Sequence, residues 1–516
     1  MCKDGGMSAC CQGSLILAVA LLVSNAFAGP TALERGLGPE PGSLDPHKAS
    51  DLASFQVLRD LYEGLLSEDP SGRTIPGVAR RWEVSADGRE WRFFLRADAR
   101  DCAGAIVDAD RFAASLARAR DPATAAPLVG LLAPIEAVVV IDAEQLLFRL
   151  AEPVDLARRL LLPIAYPVDL QALRLHGEAA FREGKAASNG AYCLRAYRPQ
   201  DQLWLEKNPF FHSASQVAFA TVRYRASEDP FSEARRFASG ELHLSESVPP
   251  WPNQVLERRF GEALRVSPLA GVFEIGLYLE AAPFAENPAL REALSAAIDR
   301  ELLVERITGG GERPAYGFVP PELRDGLALR PTWADWPREQ REDYARRRYA
   351  EAGYGPARPL SFELLYNTSP QHRRVLLAVA AMWREVLGVE AVLVNQEWRA
   401  FLARRARGEQ LQAFRLGWIA DVGEPEEFLA RFESGSPLNY TRFRNSAFDA
   451  LLARARGLRG QTRQEVLAEA ERLLVSETPA IPLYFLSGRR LVHPQLGGYA
   501  DHPLDRHPSR WLFWRE

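Results

Sequence analysis

The side chains available for chemistry in this 516-residue chain are mostly carboxylates and arginines. Lys3, Lys48, Lys185 and Lys207 are the only lysines, so nearly every cation is a guanidinium, a permanently charged donor fork rather than a tunable base. The eight histidines are scattered singly. The chain has no His-Glu-x-x-His pair for zinc, no Cys-x-x-Cys, no Gly-x-Ser-x-Gly elbow and no phosphate-cradling Gly-x-x-x-x-Gly-Lys loop. Gly309-Gly310-Gly311 follows a helix-like run and reads as a turn. Glu426-Glu427 has no spacing that would separate a general acid from a general base, and reads as solvated surface. Asp421, just before Glu424-Pro425 and another helix-like run, reads locally as a surface acid or a helix cap. These residues point away from an enzyme and call for neither a metal nor a cofactor.

Whatever work these groups do depends on the elements that carry them. Ser85-Ala86-Asp87-Gly88 separates two strand-like stretches, the second being Trp91 to Leu95, and this is hairpin grammar. Asp108 opens a run with apolar residues at helical spacing. Val138 to Ile141 and Gln145 to Leu150 flank Asp142-Ala143-Glu144 as paired strands, with helix near Leu156 to Leu162 and strands again between Ser188 and Phe211. Ala289 to Arg306 reads as one amphipathic helix after Pro288. Strand Leu360 to Tyr366, helix Gln371 to Leu387 and strand Val389 to Val394 then form a βαβ alternation that implies an α/β lobe. Helices at Ser446 to Leu458 and Arg463 to Val475 precede a short apolar strand, Ile481 to Phe485.

With 47% hydrophobic and 25% charged residues the chain can bury cores, and its length suggests two to four domains. A net charge of −4, with arginines interspersed among acids, is not a nucleic-acid footprint. The run Leu15 to Val23 followed by Ala26-Phe27-Ala28 reads as a secretory signal peptide cleaved after Ala28, whether translation starts at Met1 or Met7. Cys2, Cys10 and Cys11 precede the apolar run, the wrong side for a lipoprotein cysteine. Cys102 and Cys193 remain, and their spacing leaves open whether they pair.

A series of collinear motifs runs from about Ser43 to Trp514. It includes Ser43-Leu44-Asp45-Pro46-His47, Arg59 to Leu66, Ser188-Asn189-Gly190-Ala191-Tyr192, Leu205 to Pro209, Ala297-Ile298-Asp299-Arg300, Leu365 to Ser369 and Gly417-Trp418-Ile419-Ala420-Asp421. In these the chain resembles the periplasmic oligopeptide-binding proteins of peptide ABC transporters, extracellular solute-binding family 5. The resemblance implies an α/β, periplasmic-binding-protein-like fold of two lobes with a hinge. It also implies three domains: a discontinuous first (29–62, 187–270 and 488–516), an inserted second (63–186) and a third (271–487).

Function follows from the same resemblance: an exported monomer would capture a short peptide between its lobes and deliver it to the permease subunits of an inner-membrane ABC importer. An extended ligand would pair with the backbone of Gly417, Trp418 and Ile419, with Ser50, Asp51 and Leu52 on the opposing lobe. Asp421 would hold the peptide's α-ammonium, and Arg405, Arg415 and His372 would serve carboxylates of ligands of different lengths. The chain departs from the best-studied members twice. Thr308 stands near the position of a lysine ahead of Pro314-Ala315-Tyr316, and Gly271 and Ile419 replace a cystine. A murein peptide, haem or a metallophore is an alternative solute, and a periplasmic hydrolase is the alternative outside the binding class.

Export should remove residues 1–28, so sequencing the protein from a periplasmic extract should give Gly29 as the first residue. Recovery of the intact N-terminus in a membrane fraction would overturn this.

Overall fold

A computed structural model describes residues 31–324 and 329–515, and the signal-peptide reading lies outside them. The first described strand, Ala32–Gly38, runs parallel to Thr221–Ala226 at the edge of a four-stranded sheet completed by Gln202–Lys207 and Tyr192–Arg198. Its core draws on Leu33, Val57, Tyr192, Tyr224, Val492 and Leu512, so distant parts of the chain bury one apolar surface. Helix Leu52–Leu61 packs here, capped by the Asp51 carboxylate, which accepts from Ser54 N at 2.8 Å.

Between these segments an antiparallel sheet of order Ala79–Val84, Glu90–Leu95, Gln145–Leu150, Ile135–Asp142 is inserted, with its own core around Phe93, Phe112 and Phe148. Both hairpins read from the turn sequences are present, and Asp108 caps helix Ala109–Arg120 by accepting from Arg111 N at 2.9 Å. Cys102 and Cys193 form a disulfide that ties the inserted segment to the first sheet. The bonded residues are 91 apart in sequence. Closing a loop of that length stabilises the fold by about 4 to 5 kcal/mol on the chain-entropy account.

The second lobe is built on a mixed six-stranded sheet, in order Arg313–Pro314, Ala480–Leu491, Leu264–Leu277, Ala413–Ile419, Ser361–Asn367 and Glu390–Gln396. Separate apolar clusters cover its two faces. Helix Pro370–Leu387 starts with Ser369 accepting from His372 N and Pro370 in its first turn, and ends at Gly388 in a left-handed conformation, φ +71°. Its buried residues Val375, Leu376, Val379, Trp383 and Val386 recur at helical spacing, and Trp383 Nε1 donates to Leu294 O at 2.8 Å.

The continuous helix expected from Ala289 to Arg306 is broken. Helix Pro288–Ala296 ends, and Asp299 caps a new turn by accepting from Leu302 N. Arg300, wholly buried in the break, donates to the carbonyls of Ser295, Ala315 and Pro482, which an unbroken amphipathic helix would not permit. The short strand expected at Ile481 to Phe485 instead extends over Ala480–Leu491. Its polar half is held by partners that no apolar pattern reports: Arg489 donates to Trp251 O, and Arg490 pairs with Glu246 and Asp505.

Strands Leu264–Leu277 and Ala480–Leu491 pair antiparallel along most of their length and pass from one lobe to the other. At the first lobe Val492 bridges Leu244, which in turn bridges Arg35. The register shifts between Pro268 and Val272, where Ala270 N donates to Pro503 O and Ala270 O accepts from Ala420 N. The domain borders expected at 270 and 487 fall within these two strands.

His47, 1% exposed, accepts at Nδ1 from Arg118 and so carries its proton on Nε2, which donates to Tyr166 O at 3.1 Å. Burial lowers its pKa from 6.5 to about 4, against the attraction of Asp45. Between those values the unfolded chain binds the extra proton, so His47's contribution is present above pH 6.5 and lost as pH falls toward 4. Urea unfolding of the mature protein should show His47→Gln losing less stability than wild type between pH 7 and 4.5, by up to about 3 kcal/mol. Equal losses would refute a buried neutral imidazole.

Candidate functional site

The strand Ala413–Ile419 carries four of the ten residues singled out in the sequence, Arg415, Gly417, Trp418 and Ile419. One of its edges pairs along its whole length with Leu264–Leu277, from Ala413 opposite Leu277 to Ile419 opposite Gly271. The other edge pairs with Ser361–Asn367 only at Ala413 and Phe414. Past Arg415, from Leu416 to Ile419, no strand pairs with that edge among the described residues. Alternate residues of such an edge present N–H and C=O groups to an incoming strand. Arg415, Gly417 and Trp418 are half-buried and only Ile419 is exposed, so the edge is partly covered. A Cβ on Gly417 would come within 2.7 Å of Val272 O, so only glycine lets the two strands approach this closely.

Beyond the strand the chain turns at Asp421. Its side chain faces solvent, and its carboxylate accepts no hydrogen bond among the described residues. Desolvation by the surrounding protein raises its pKa, opposed by the nearby Arg506 guanidinium. Asp421 does not cap the following helix, Pro425–Leu429; Glu424 occupies that position. Glu427 is not solvated surface, as its sequence suggested. Its Oε1 accepts from the backbone N–H groups of Asp421 and Val422 at 2.9 and 3.0 Å, and its Oε2 from those of Gly423 and Glu424 at 2.7 and 3.0 Å. Glu426 pairs with Arg456 and Arg463. Arg506 donates to Asp421 O at 2.6 Å and to both oxygens of Glu68 at 2.8 Å, joining the turn to the inserted segment.

At the other end the structure brings together three of the expected carboxylate-binding groups. Arg415 and His372 both pack against Phe273, the guanidinium 5.2 Å and the imidazole 5.3 Å from its ring centre. Burial, with Arg415 nearby, lowers the His372 pKa to about 4, so the ring is neutral near pH 7, and its Nδ1 lies 3.0 Å from Asn367 Oδ1. Arg405 is 9% exposed, between the rings of Tyr440 at 4.1 Å and Phe401 at 5.2 Å. Burial lowers the pKa of both arginines, and each has a buried Nε without a hydrogen-bond acceptor. The neighbouring Arg431 is neutralised by buried Glu274 through bonds of 2.7 and 2.9 Å. Removing one member of such a pair typically costs about 3 to 5 kcal/mol. The result is a cationic cluster in which two guanidiniums each keep an Nε without an acceptor, a charge suited to an anion.

On the first lobe, the Asp51 side chain is engaged as the helix cap and also accepts from Gly42 N and Ser54 Oγ. Its neighbour Leu52 is 69% exposed, an apolar side chain left in water, and Ser50 is exposed as well. Thr308 is buried with its hydroxyl donating to Val304 O, so it supplies no charge to the site. Gly271 and Ile419, the pair noted as replacing a cystine, are direct strand partners. Glu427, Arg506 and the Arg431–Glu274 pair were missed by sequence reasoning. Only Glu427 had a local signal, since Glu424-Pro425-Glu426-Glu427 has the spacing and first-turn proline of a helix cap.

The model of the bacterial extracellular solute-binding proteins, family 5 middle region, matches residues 73–440. The periplasmic oligopeptide-binding protein OppA of Escherichia coli strain K12 is 32% identical, the match covering 99% of this chain and 97% of that protein. Among solved structures, the unliganded open form of the periplasmic murein tripeptide-binding protein MppA superposes with a TM-score of 0.85 at 30% identity, covering 94% and 98% of the two chains. The Haemophilus influenzae OppA complex with the peptide RPPGFSPFR superposes with a TM-score of 0.76 at 28% identity, covering 94% and 99%. The fold is thus the α/β two-lobed binding-protein fold, and the chain belongs to the bacterial extracellular solute-binding proteins of family 5.

Proposed function

We propose that this protein is an exported, periplasmic, monomeric receptor that captures short peptides and passes them to the permease subunits of an ABC importer. The observation that carries the reading is the unpaired edge of the Ala413–Ile419 strand, with the unbonded Asp421 carboxylate just past its end. An extended peptide adds to that edge as a further strand, using N–H and C=O groups that every peptide shares. Asp421 holds the α-ammonium, while Arg415, Arg405 and His372 meet the carboxylate in the cationic cluster. Ser50, Asp51 and Leu52 close over the ligand from the first lobe.

In this reading the discontinuous first domain and the inserted domain move together against the third, about the two strands that pass between lobes. The higher similarity to an unliganded open form than to a peptide complex, TM-score 0.85 against 0.76, supports an open arrangement. That same neighbour, a murein tripeptide-binding protein, favours a cell-wall peptide as the second reading of the ligand. Native mass spectrometry of the purified protein, read for co-purified mass, separates the two.

Inside a closed cleft the ammonium loses most of its water, so deleting its partner charge should cost about 3 to 5 kcal/mol. Calorimetry should show Asp421→Asn binding free peptides roughly two to four orders of magnitude more weakly. N-terminal acetylation should weaken wild-type binding similarly, and the two changes should not add, because each removes one partner of the same contact. Binding of free peptide by Asp421→Asn within about threefold of wild type would overturn the assignment.

A further inference from the structure

We propose that Glu427 is the positioning residue for the ligand's cationic end. By filling the 421–424 turn with its own carboxylate, it fixes Asp421 and keeps that end of the cleft selective for ammonium. The proposal rests on the reading of Asp421 as the ammonium anchor.

Four consecutive backbone N–H groups, from Asp421 to Glu424, converge on the two Glu427 oxygens. Converging N–H groups of this kind form a nest, a natural anion site. Gly423, at φ +79°, supplies the left-handed residue the turn needs, and a Cβ there would lie 3.2 Å from Leu504 and 3.3 Å from Arg158. In a trans peptide the N–H and C=O of one unit point in opposite directions. With the N–H groups drawn inward to Glu427, the carbonyls of Asp421 and Val422 face outward. There they accept from Arg506 at 2.6 Å and from Arg158 at 3.5 Å.

One side chain thus has two effects on the turn. It locks the backbone that carries Asp421, and it occupies an anion site that would otherwise lie open beside that carboxylate. Without it, the same end of the cleft would offer four donors to a ligand carboxylate and compete with the ammonium for the turn. Glu427 itself is enclosed by the turn and acts through Asp421.

The test is calorimetry with the full mature chain, using trialanine and N-acetyl-trialanine as probes on wild type, Glu427→Gln and Asp421→Asn. Glutamine keeps the volume but sets an NH2 group against two of the four donors. Glu427→Gln should therefore weaken trialanine about tenfold or more and leave N-acetyl-trialanine within about twofold. Amide hydrogen exchange should accelerate at residues 421–424 and not elsewhere in the lobe. Equal weakening of both probes, as a general loss of structure would give, or no weakening of either, overturns the proposal. If Asp421→Asn weakens both probes equally or weakens neither, the anchor reading falls and this proposal with it. If Asp421→Asn weakens trialanine alone and Glu427→Gln does not, only the role of Glu427 is lost. Should Glu427→Gln fail to fold, Gly423→Ala, which disturbs the turn without removing a charge, must show the same selectivity.

Discussion

Two antiparallel strands, Leu264–Leu277 and Ala480–Leu491, pass between the lobes, and the proposed binding face is built directly on them. The strand with the unpaired edge is hydrogen-bonded to the second-lobe half of the first of these, residues 271–277. Glu274 on that half neutralises Arg431, and Phe273 beside it packs against both Arg415 and His372. Near the register shift, Ala270 bonds both Pro503 and Ala420, so the C-terminal segment and the turn leading to Asp421 meet at one residue. A small change in the path of these strands would move both ends of the site at once.

Charge is arranged around this crossing in an uneven way. Arg490, buried, pairs with Glu246 and Asp505, and Arg506 pairs with Glu68, so the guanidiniums near the crossing are matched by carboxylates. Arg405, buried, and Arg415, half-buried, form no ion pair with a carboxylate among the described residues, and each keeps an Nε without an acceptor. Buried cations left short of acceptors cost free energy in the unliganded fold, and an anion bound beside them recovers it. The cost falls where a ligand's negative end would lie, and the matched pairs hold the framework around it.

Local rules read well from the sequence. The Ser85 to Gly88 turn, the Asp108 cap, and the helix between Ser369 and Gly388 all follow from neighbours a few residues apart. What was missed depends on partners far along the chain. Arg300 breaks an otherwise periodic helix because carbonyls at Ala315 and Pro482 await it, and Arg490 prolongs a strand because Glu246 and Asp505 lie alongside. The cystine between Cys102 and Cys193 was undecidable from spacing alone. Glu427 looked like a solvated acid because its partners are main-chain donors, which sequence composition does not reveal. The candidate binding strand came from motif resemblance, while its unpaired edge came only from the sheet register.

That unpaired edge also bears on solubility. A strand with one side unmatched is a template on which another protein's sheet can dock, the first step of edge-to-edge aggregation. Here it spans only Leu416 to Ile419, is partly covered over most of that length, and ends at a charged turn. The border of a folded sheet is a broad, rigid body, whereas a lone extended segment is narrow, so a short, partly covered edge favours the segment over the sheet. The features that leave the strand incomplete over so short a stretch therefore also limit its use as a template by other folded chains.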